Sequence, residues 1–182
     1  MERTISFMNR EGSIGHNTRR FIADNVDASR TKNNITLIHG DIKQAHHKLF
    51  DKALKEYNAK QKRKDRQIKS YYDKISRSKQ EKLFYEVIVQ IGNRDDTGVG
   101  SPFADVATWV LKDYVKKFQL RNPQLYVIGA YIHLDEEIPH SHLNFIPWVS
   151  GCKRGLETKT SLKAALATRG FVSEGKGNTE WK

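Results

Sequence analysis

The stretch that most constrains this chain is His133-Leu134-Asp135-Glu136-Glu137-Ile138-Pro139-His140-Ser141-His142-Leu143-Asn144-Phe145, set between two β-rich runs, Tyr126 to His133 and His142 to Val149. Two such runs joined by an acidic turn predict a β-hairpin. Alternate residues of a strand share a face, so His140, His142 and Asn144 fall on one side, with Leu143 and Phe145 on the other. In the preceding strand Tyr126, Ile128, Ala130 and Ile132 form the apolar face and leave His133 opposite. A tight turn at Glu137-Ile138 pairs His133 with His142, with Cβ atoms about 4.5–5.5 Å apart and His140 on the diagonal. Three imidazoles on one point, with coordination positions left open, describe a catalytic metal site rather than a closed structural one. The lone Cys152 excludes a disulfide framework and a cysteine-rich zinc site, so metal ligands must be His, Asp or Glu, and His133, His140 and His142 are the candidates. Asp135, Glu136 and Glu137 add negative potential and are further candidate ligands. Histidines clustered by chance are the bland alternative, and three on one face beside three acids outweigh it. Imidazole ligands suit Zn, Mn, Fe, Co or Ni.

The rest of the chain supplies a scaffold. Thr4 to Met8 reads as a first strand and Tyr85 to Ile91 as a buried one. Ser101-Pro102 predicts a helix start, Ser101 as N-cap and Pro102 in the first turn, with Phe103, Val106, Ala107, Val110, Leu111, Tyr114 and Phe118 on its buried face and Asn122-Pro123 as its end. Thr160 to Arg169 reads as a short helix stopped by Gly170. The order β, α, α, β, α, β, β, α predicts an α+β fold: an antiparallel sheet flanked by helices, with a basic helical segment inserted after the first strand. A chain of 182 residues suits a single domain, 1–182. The tail GKGNTEWK suggests that a longer protein continues beyond it.

Charge is concentrated in one place. Of a formal net charge of +11, residues 41–82 carry +8, from 14 basic and 6 acidic side chains. The same segment has helical periodicity, with Ile42, Ala45, Leu49, Phe50, Ala53, Leu54 and Tyr57 in one stripe, then Ile68, Tyr71, Tyr72 and Ile75. Two amphipathic helices with Lys and Arg outward are expected, and a solvated surface is the alternative. The one-sided imbalance points to a polyanion, nucleic acid or an acidic membrane surface. No apolar run approaches the roughly 20 residues of a membrane span, and the start MERTISFMNREG lacks a signal-peptide core, so a cytoplasmic protein is expected.

The string H-x-D-E-x-x-P-H-x-H at His133–His142 resembles the metal motif of the MobV class of relaxases, the Mob/Pre plasmid mobilisation and recombination enzymes, relatives of the HUH endonucleases. His16-Asn17-Thr18-Arg19 resembles the family's N-terminal H-N-x-R motif, and the likeness covers essentially the whole chain. One departure is Ser141, which stands where HUH enzymes prefer a bulky apolar residue, so packing beneath the site is expected to differ.

The resemblance implies metal-dependent nicking and rejoining of one DNA strand at a plasmid origin of transfer, through a covalent protein–DNA intermediate. The partner would be origin DNA as a single strand or hairpin, and the cofactor a divalent ion, Mn or Mg first, then Zn, Co or Ni. No membrane partner is expected, and oligomerisation would run through a missing C-terminal part. The motif implies His16 as nucleophile, because neutral imidazole is nucleophilic near its ordinary pKa of about 6.5. Glu136 matches the motif acid, to complete the coordination, orient a histidine or move a proton. Arg19 would contact a phosphate, Asn17 would position His16 or a base, and Glu86 is the candidate acid for orienting His16. Arg20 and Lys60, Lys62, Arg63, Lys64 and Arg66 are candidate DNA contacts through phosphates. Tyr57, Tyr71, Tyr72 and Tyr85 are fallback nucleophiles, although core or helix packing accounts for them as well. His39, His46 and His47 read as surface residues close to a helix. A phosphodiesterase using activated water and a non-catalytic DNA-binding module remain as alternatives.

Overall fold

Strand parity and helical stripes become six strands and six α-helices in a computed structural model that describes residues 3–10 and 12–172. The tail GKGNTEWK lies outside the described residues. The strands are β1 (Ile5–Arg10), β2 (Ile35–His39), β3 (Tyr85–Ile91), β4 (Leu125–His133), β5 (His140–Val149) and β6 (Lys159–Thr160). The helices are α1 (Ile14–Asn17), α2 (Ile42–Ala59), α3 (Tyr71–Ser76), α4 (Arg94–Thr97), α5 (Ala104–Arg121) and α6 (Leu162–Ala167). Two compact units divide them.

The first unit comprises Met1–His39, Phe84–Asn122 and Val127–Phe145. Its sheet runs β1-β3-β5-β4-β2, so β3 and β5, which bear site residues, are interior strands. The antiparallel register pairs Ile88 with His142 and Glu86 with Asn144. A central strand must bury both faces. Val87 and Val89 pack on one side, Glu86 is buried on the other, and burying a polar group is tolerated only when it is hydrogen-bonded. Leu111, Ile132, Leu143 and Phe145 have no more than a trace of exposed surface, and each such burial contributes about 1.5–3 kcal/mol.

The second unit comprises Gly40–Leu83, Pro123–Tyr126 and Ile146–Lys182. In it α2 buries Ala45, Phe50 and Ala53, the stripe expected from spacing, and Asp41 caps its N-terminus by accepting from Gln44 N–H at 2.8 Å. The ring of Phe50 stands edge-on to Tyr71 of α3, 4.9 Å between centroids. β6 pairs with the end of β5, Trp148 opposite Thr160.

Several expectations need correction. The basic helical segment follows β2, not the first strand, because Ile35–His39 forms an edge strand paired with β4. The second helix of that segment is a single short turn-and-a-half, 71–76, preceded by a 3-10 turn at Lys64–Arg66. The connection from β4 to β5 is a six-residue loop, 134–139, rather than a two-residue turn. Ser101 does not cap α5: its hydroxyl donates to Asp96 O, and α5 starts at Ala104 without a side-chain cap. Phe103 and Val106 are consequently 45% and 56% exposed, and the buried face is Ala107, Thr108, Leu111, Val115 and Phe118. Thr160 belongs to β6, and the last helix runs only from Leu162 to Ala167, capped by Ser161. Of the histidines read as surface residues, His39 is exposed at the end of β2, with Nδ1 2.7 Å from Tyr131 Oη, but His46 is buried at 2% exposure.

Candidate metal centre and active site

β4, the 134–139 loop and β5 bring the expected histidines together. Ring centroids stand 4.5 Å apart for His133 and His142, 5.0 Å for His140 and His142, and 5.4 Å for His133 and His140. Each ring has one nitrogen fixed by the protein. His133 Nε2 donates to Asn17 O at 3.0 Å, His140 Nδ1 to Ile138 O at 2.8 Å, and His142 Nδ1 to the Glu86 carboxylate at 3.1 Å. These partners set the tautomers and leave a lone pair on His133 Nδ1, His140 Nε2 and His142 Nε2. Two of those atoms, His133 Nδ1 and His142 Nε2, are buried with no hydrogen-bond partner. Burial with an unpaired acceptor costs free energy, and an oriented imidazole whose other nitrogen is anchored is how proteins present a metal ligand. Burial pushes the His140 pKa down to about 4, helped by His142, and lowers that of His142 as well, so both rings are neutral and able to coordinate near pH 7.

Two further groups join the three. His16 shares a cluster with His133 and His142, and Glu136 shares one with His133 and His140, ligand atoms in each set lying within 4.8 Å of one another. Glu136 Oε1 stands 3.6 Å from His133 Nδ1 and 3.7 Å from both His140 Nε2 and His16 Nε2. Burial opposes ionisation of Glu136, but the neighbouring His133 and His140 and the hydrogen-bonded Arg19 guanidinium outweigh it and hold the carboxyl far below its ordinary value. A carboxylate so held accepts or coordinates; it has no proton to give.

His16 sits in α1, whose N-terminus is capped by Ser13 accepting from the His16 N–H at 3.2 Å. Its ring is half-buried and forms part of a pocket of about 470 Å³ that also includes Met8, Glu86, Ile88, His140 and His142. Burial, Arg19 and His142 lower its pKa, so the imidazole is neutral and carries a lone pair.

Arg19 and Asn17 occupy positions other than those expected. The Arg19 guanidinium is only 6% exposed and is clasped by carboxylates, with 2.6 Å to Asp135, 2.7 Å to Glu136 and 2.9 Å from Nε to Asp135. It also lies 3.1 Å from His16 Nε2. Its fork is therefore spent on the acidic loop rather than open to a phosphate. Burial opposes ionisation of Asp135, but donors from Arg19, Asn34 and Thr31 hold its carboxyl down at about 2. Asn17 is buried, its amide donating to Glu86 and to Asn144 Oδ1. Glu86 also accepts from Asn144 at 3.0 Å, so this acid orients His142, not His16. Gly129 makes room for the network: an added Cβ would lie 3.0 Å from Asn144 Oδ1.

Sequence reading missed the struts of the acidic loop. Asn34 bridges Asp135 and the Leu134 N–H, Asn25 donates to Glu136 at 2.8 Å, and the Asp27 N–H meets Asp135 O at 2.7 Å. No local pattern marks them, although a cluster of Asn, Asp and Thr in 24–34 was a signal of side-chain-to-backbone bonding. Ser141 is buried with its hydroxyl unpaired, on the face opposite the metal cluster, as parity required.

The remaining candidates lie where charge is solvated. Arg20, Lys60, Lys62, Arg63, Lys64 and Arg66 are all exposed, and Arg63 pairs with Asp65 at 2.6 Å. Of the fallback tyrosines, Tyr71 is buried, its hydroxyl accepts from Thr160 N–H at 3.2 Å, and burial pushes its pKa up to about 12, the reverse of an activated phenol. Tyr85 stacks on Phe145, 6.2 Å between centroids.

The sequence model of the plasmid recombination enzymes, Mob_Pre, matches residues 10–168. The chain belongs to that family, and is an enzyme of plasmid recombination rather than a passive binding module. Among solved structures it matches the MobM relaxase domain (MOBV; Mob_Pre) bound to plasmid pMV158 oriT DNA, in a Mn-bound crystal structure at pH 5.5, with 22% identity, 100% of this chain and 94% of that one covered, and a TM-score of 0.52. A second crystal structure of the same complex, at pH 4.6, matches with 20% identity, 98% and 94% coverage, and a TM-score of 0.50. The fold is thus that of a MOBV relaxase domain, as the two motifs implied. No curated protein sequence matches the chain. Among the described residues no helix is long and apolar enough to cross a membrane.

Proposed function

We propose that the chain nicks and rejoins one strand of DNA at the origin of transfer of a plasmid or related mobile element, acting in the cytoplasm. His16 serves as nucleophile, and His133, His140 and His142, with Glu136, hold a divalent cation. The observation that carries this reading is the neutral, half-buried His16 imidazole standing in one pocket with His140 and His142 and clustered with the buried His133, the anchored tautomers of all three leaving a lone pair free. The two orphaned nitrogens, on His133 and His142, fit a cation that needs imidazole ligands, and the MobM relaxase domain crystals are Mn-bound.

When bound, the cation would supply positive charge and a template for the scissile phosphate. The chain's own residues do the rest. The His16 lone pair attacks phosphorus, the bond to the 3′ oxygen breaks, and that oxygen takes a proton from water while the imidazolium formed returns its other N–H proton to the resulting hydroxide. The phosphate stays on the ring nitrogen as a phosphoramidate, and attack by a 3′ hydroxyl reverses the sequence to rejoin the strand. Arg19, 3.1 Å from His16 Nε2, holds the ring beside the acidic loop, and the strand displaces this contact as it enters. Glu86 fixes His142, and Asn17 ties α1 to β3 and β5. The exposed Lys and Arg of 60–66 bind DNA through phosphates, without reading sequence.

The test is incubation of the chain with its origin strand and Mn, followed by a denaturing gel and mass analysis. A covalent adduct on His16, labile in acid and missing in His16→Ala, is expected. Cleavage without any adduct would establish the water-using phosphodiesterase instead. An acid-stable adduct on a tyrosine would remove His16 from its role.

A further inference from the structure

Two large apolar side chains stand in solvent just after α1, one of them beside His16. Just past the end of α1, which Thr18 caps, Arg19 turns the backbone sharply with φ 53°, in the left-handed region. The next residues, Arg20, Phe21 and Ile22, point outward, Phe21 at 52% and Ile22 at 50% exposure. The Phe21 ring lies 5.9 Å from the His16 ring at a tilt of 51°. One edge leans on α1, where a Cβ added to Gly15 would rest 3.5 Å away, and the remainder is open. An aromatic ring held against a reactive histidine but not packed into the core lacks a structural explanation.

We infer that Phe21 is a nucleobase platform, stacking the base of a nucleotide that flanks the phosphate attacked by His16, with Ile22 extending the apolar floor and Arg20 meeting the backbone. The inference rests on the reaction proposed above. Bases along a stacked strand are spaced by about 3.4 Å, so a ring 5.9 Å from the imidazole is within reach of the nucleoside joined to the attacked phosphate. Every base offers a π-face, and an aromatic ring with an adjacent guanidinium is how single strands are held without base-edge readout. Phe21 does not touch the reacting atoms. It is a positioning residue: by pinning one base it restricts the travel of the phosphorus relative to the His16 nitrogen. Because stacking favours larger rings, purines are preferred at that position.

The test compares the wild-type chain with Phe21→Ala, Phe21→Leu and Phe21→Trp, all with Mn. The binding probe is single-stranded oligo(dA) carrying one 2-aminopurine, and the cleavage substrate is DNA bearing the chain's own origin. Wild type should quench the 2-aminopurine. Phe21→Ala should lose the quench and weaken strand affinity about tenfold, the scale of one stacked base, with Mn affinity unchanged. Phe21→Trp should restore both affinity and quench, and Phe21→Leu should restore neither, because bulk without a π-face does not stack. Leu equal to Phe, or four identical affinities, would overturn the platform. Wild-type quenching without any adduct would leave the platform standing and refute the nicking reading. An adduct that all Phe21 variants form with wild-type rates and affinities would do the opposite.

Discussion

The histidine pocket and the basic segment 41–82 both face polar partners, yet they are built in opposite ways. In the pocket nearly every polar atom is placed by another: His142 by Glu86, Glu86 by Asn17 and Asn144, Arg19 by Asp135 and Glu136. In the segment the cations are exposed, and Arg63 with Asp65 is a solvated pair worth little. The difference is between geometry and field. Chemistry at one phosphorus needs atoms fixed to fractions of an ångström, which burial and hydrogen bonds supply. Holding a polyanion needs only charge density, which loose side chains supply at long range.

Substitutions should therefore fall off steeply in the pocket and gently in the segment. The largest effect is expected for His142→Ala, which should lower Mn affinity by more than a hundredfold in calorimetric titration and abolish adduct formation while DNA binding persists. Wild-type Mn affinity in that variant would break the contrast. Next, Asp135→Ala leaves the buried Arg19 with Glu136 alone and should destabilise the fold by about 3 kcal/mol in urea unfolding, the low end for removing one partner of a buried pair. Glu86→Gln keeps the shape but weakens the anchor of His142, so Mn should bind about ten- to a hundredfold less tightly with little loss of stability.

The gentler changes lie in the second unit. Replacing Lys62, Arg63 and Lys64 together by Ala should weaken all DNA sequences alike and lower the salt slope of log affinity by about 0.9 for each lost duplex contact. Because Arg63 already pairs with Asp65, the fall should be nearer two contacts than three. The smallest effect concerns His46, whose pKa burial lowers from its ordinary 6.5. A group protonated less readily in the folded state contributes stability that is present above the unfolded pKa of about 6.5 and lost as pH falls below it. Unfolding free energy should thus decline below about pH 6.5, and His46→Gln should flatten that decline. An unchanged pH dependence would show that His46 is as solvated in the fold as outside it.

Legibility in the sequence followed the same divide. Periodicity located β3 residue for residue and the α2 stripe, because burial repeats at every second or every third to fourth position. Parity put His140, His142 and Asn144 on one face for the same reason. The start of α5 was misread because Ser101 found Asp96 O as a tertiary partner, which no cap rule anticipates. β2 went unseen since five residues beside a helix signal carry too little pattern of their own. Asn17 and Arg19 were read as DNA contacts, the ordinary fate of polar loop residues, and both are buried by partners more than a hundred positions away. His46 was read as surface, but its Nε2 reaches Leu83 O, 37 residues on.

That long reach across the chain has a further consequence for how the protein comes to life on the ribosome. Asn17 waits for Asn144, 127 residues later, and Arg19 waits for Asp135, 116 residues later. Contacts so distant in sequence form late in folding, after the entropy of closing the intervening loop has been overcome. A nascent chain that stops short of β5 carries its proposed nucleophile without any cluster to work beside. The order of translation itself thus withholds the proposed chemistry, though not the basic segment, from an unfinished copy.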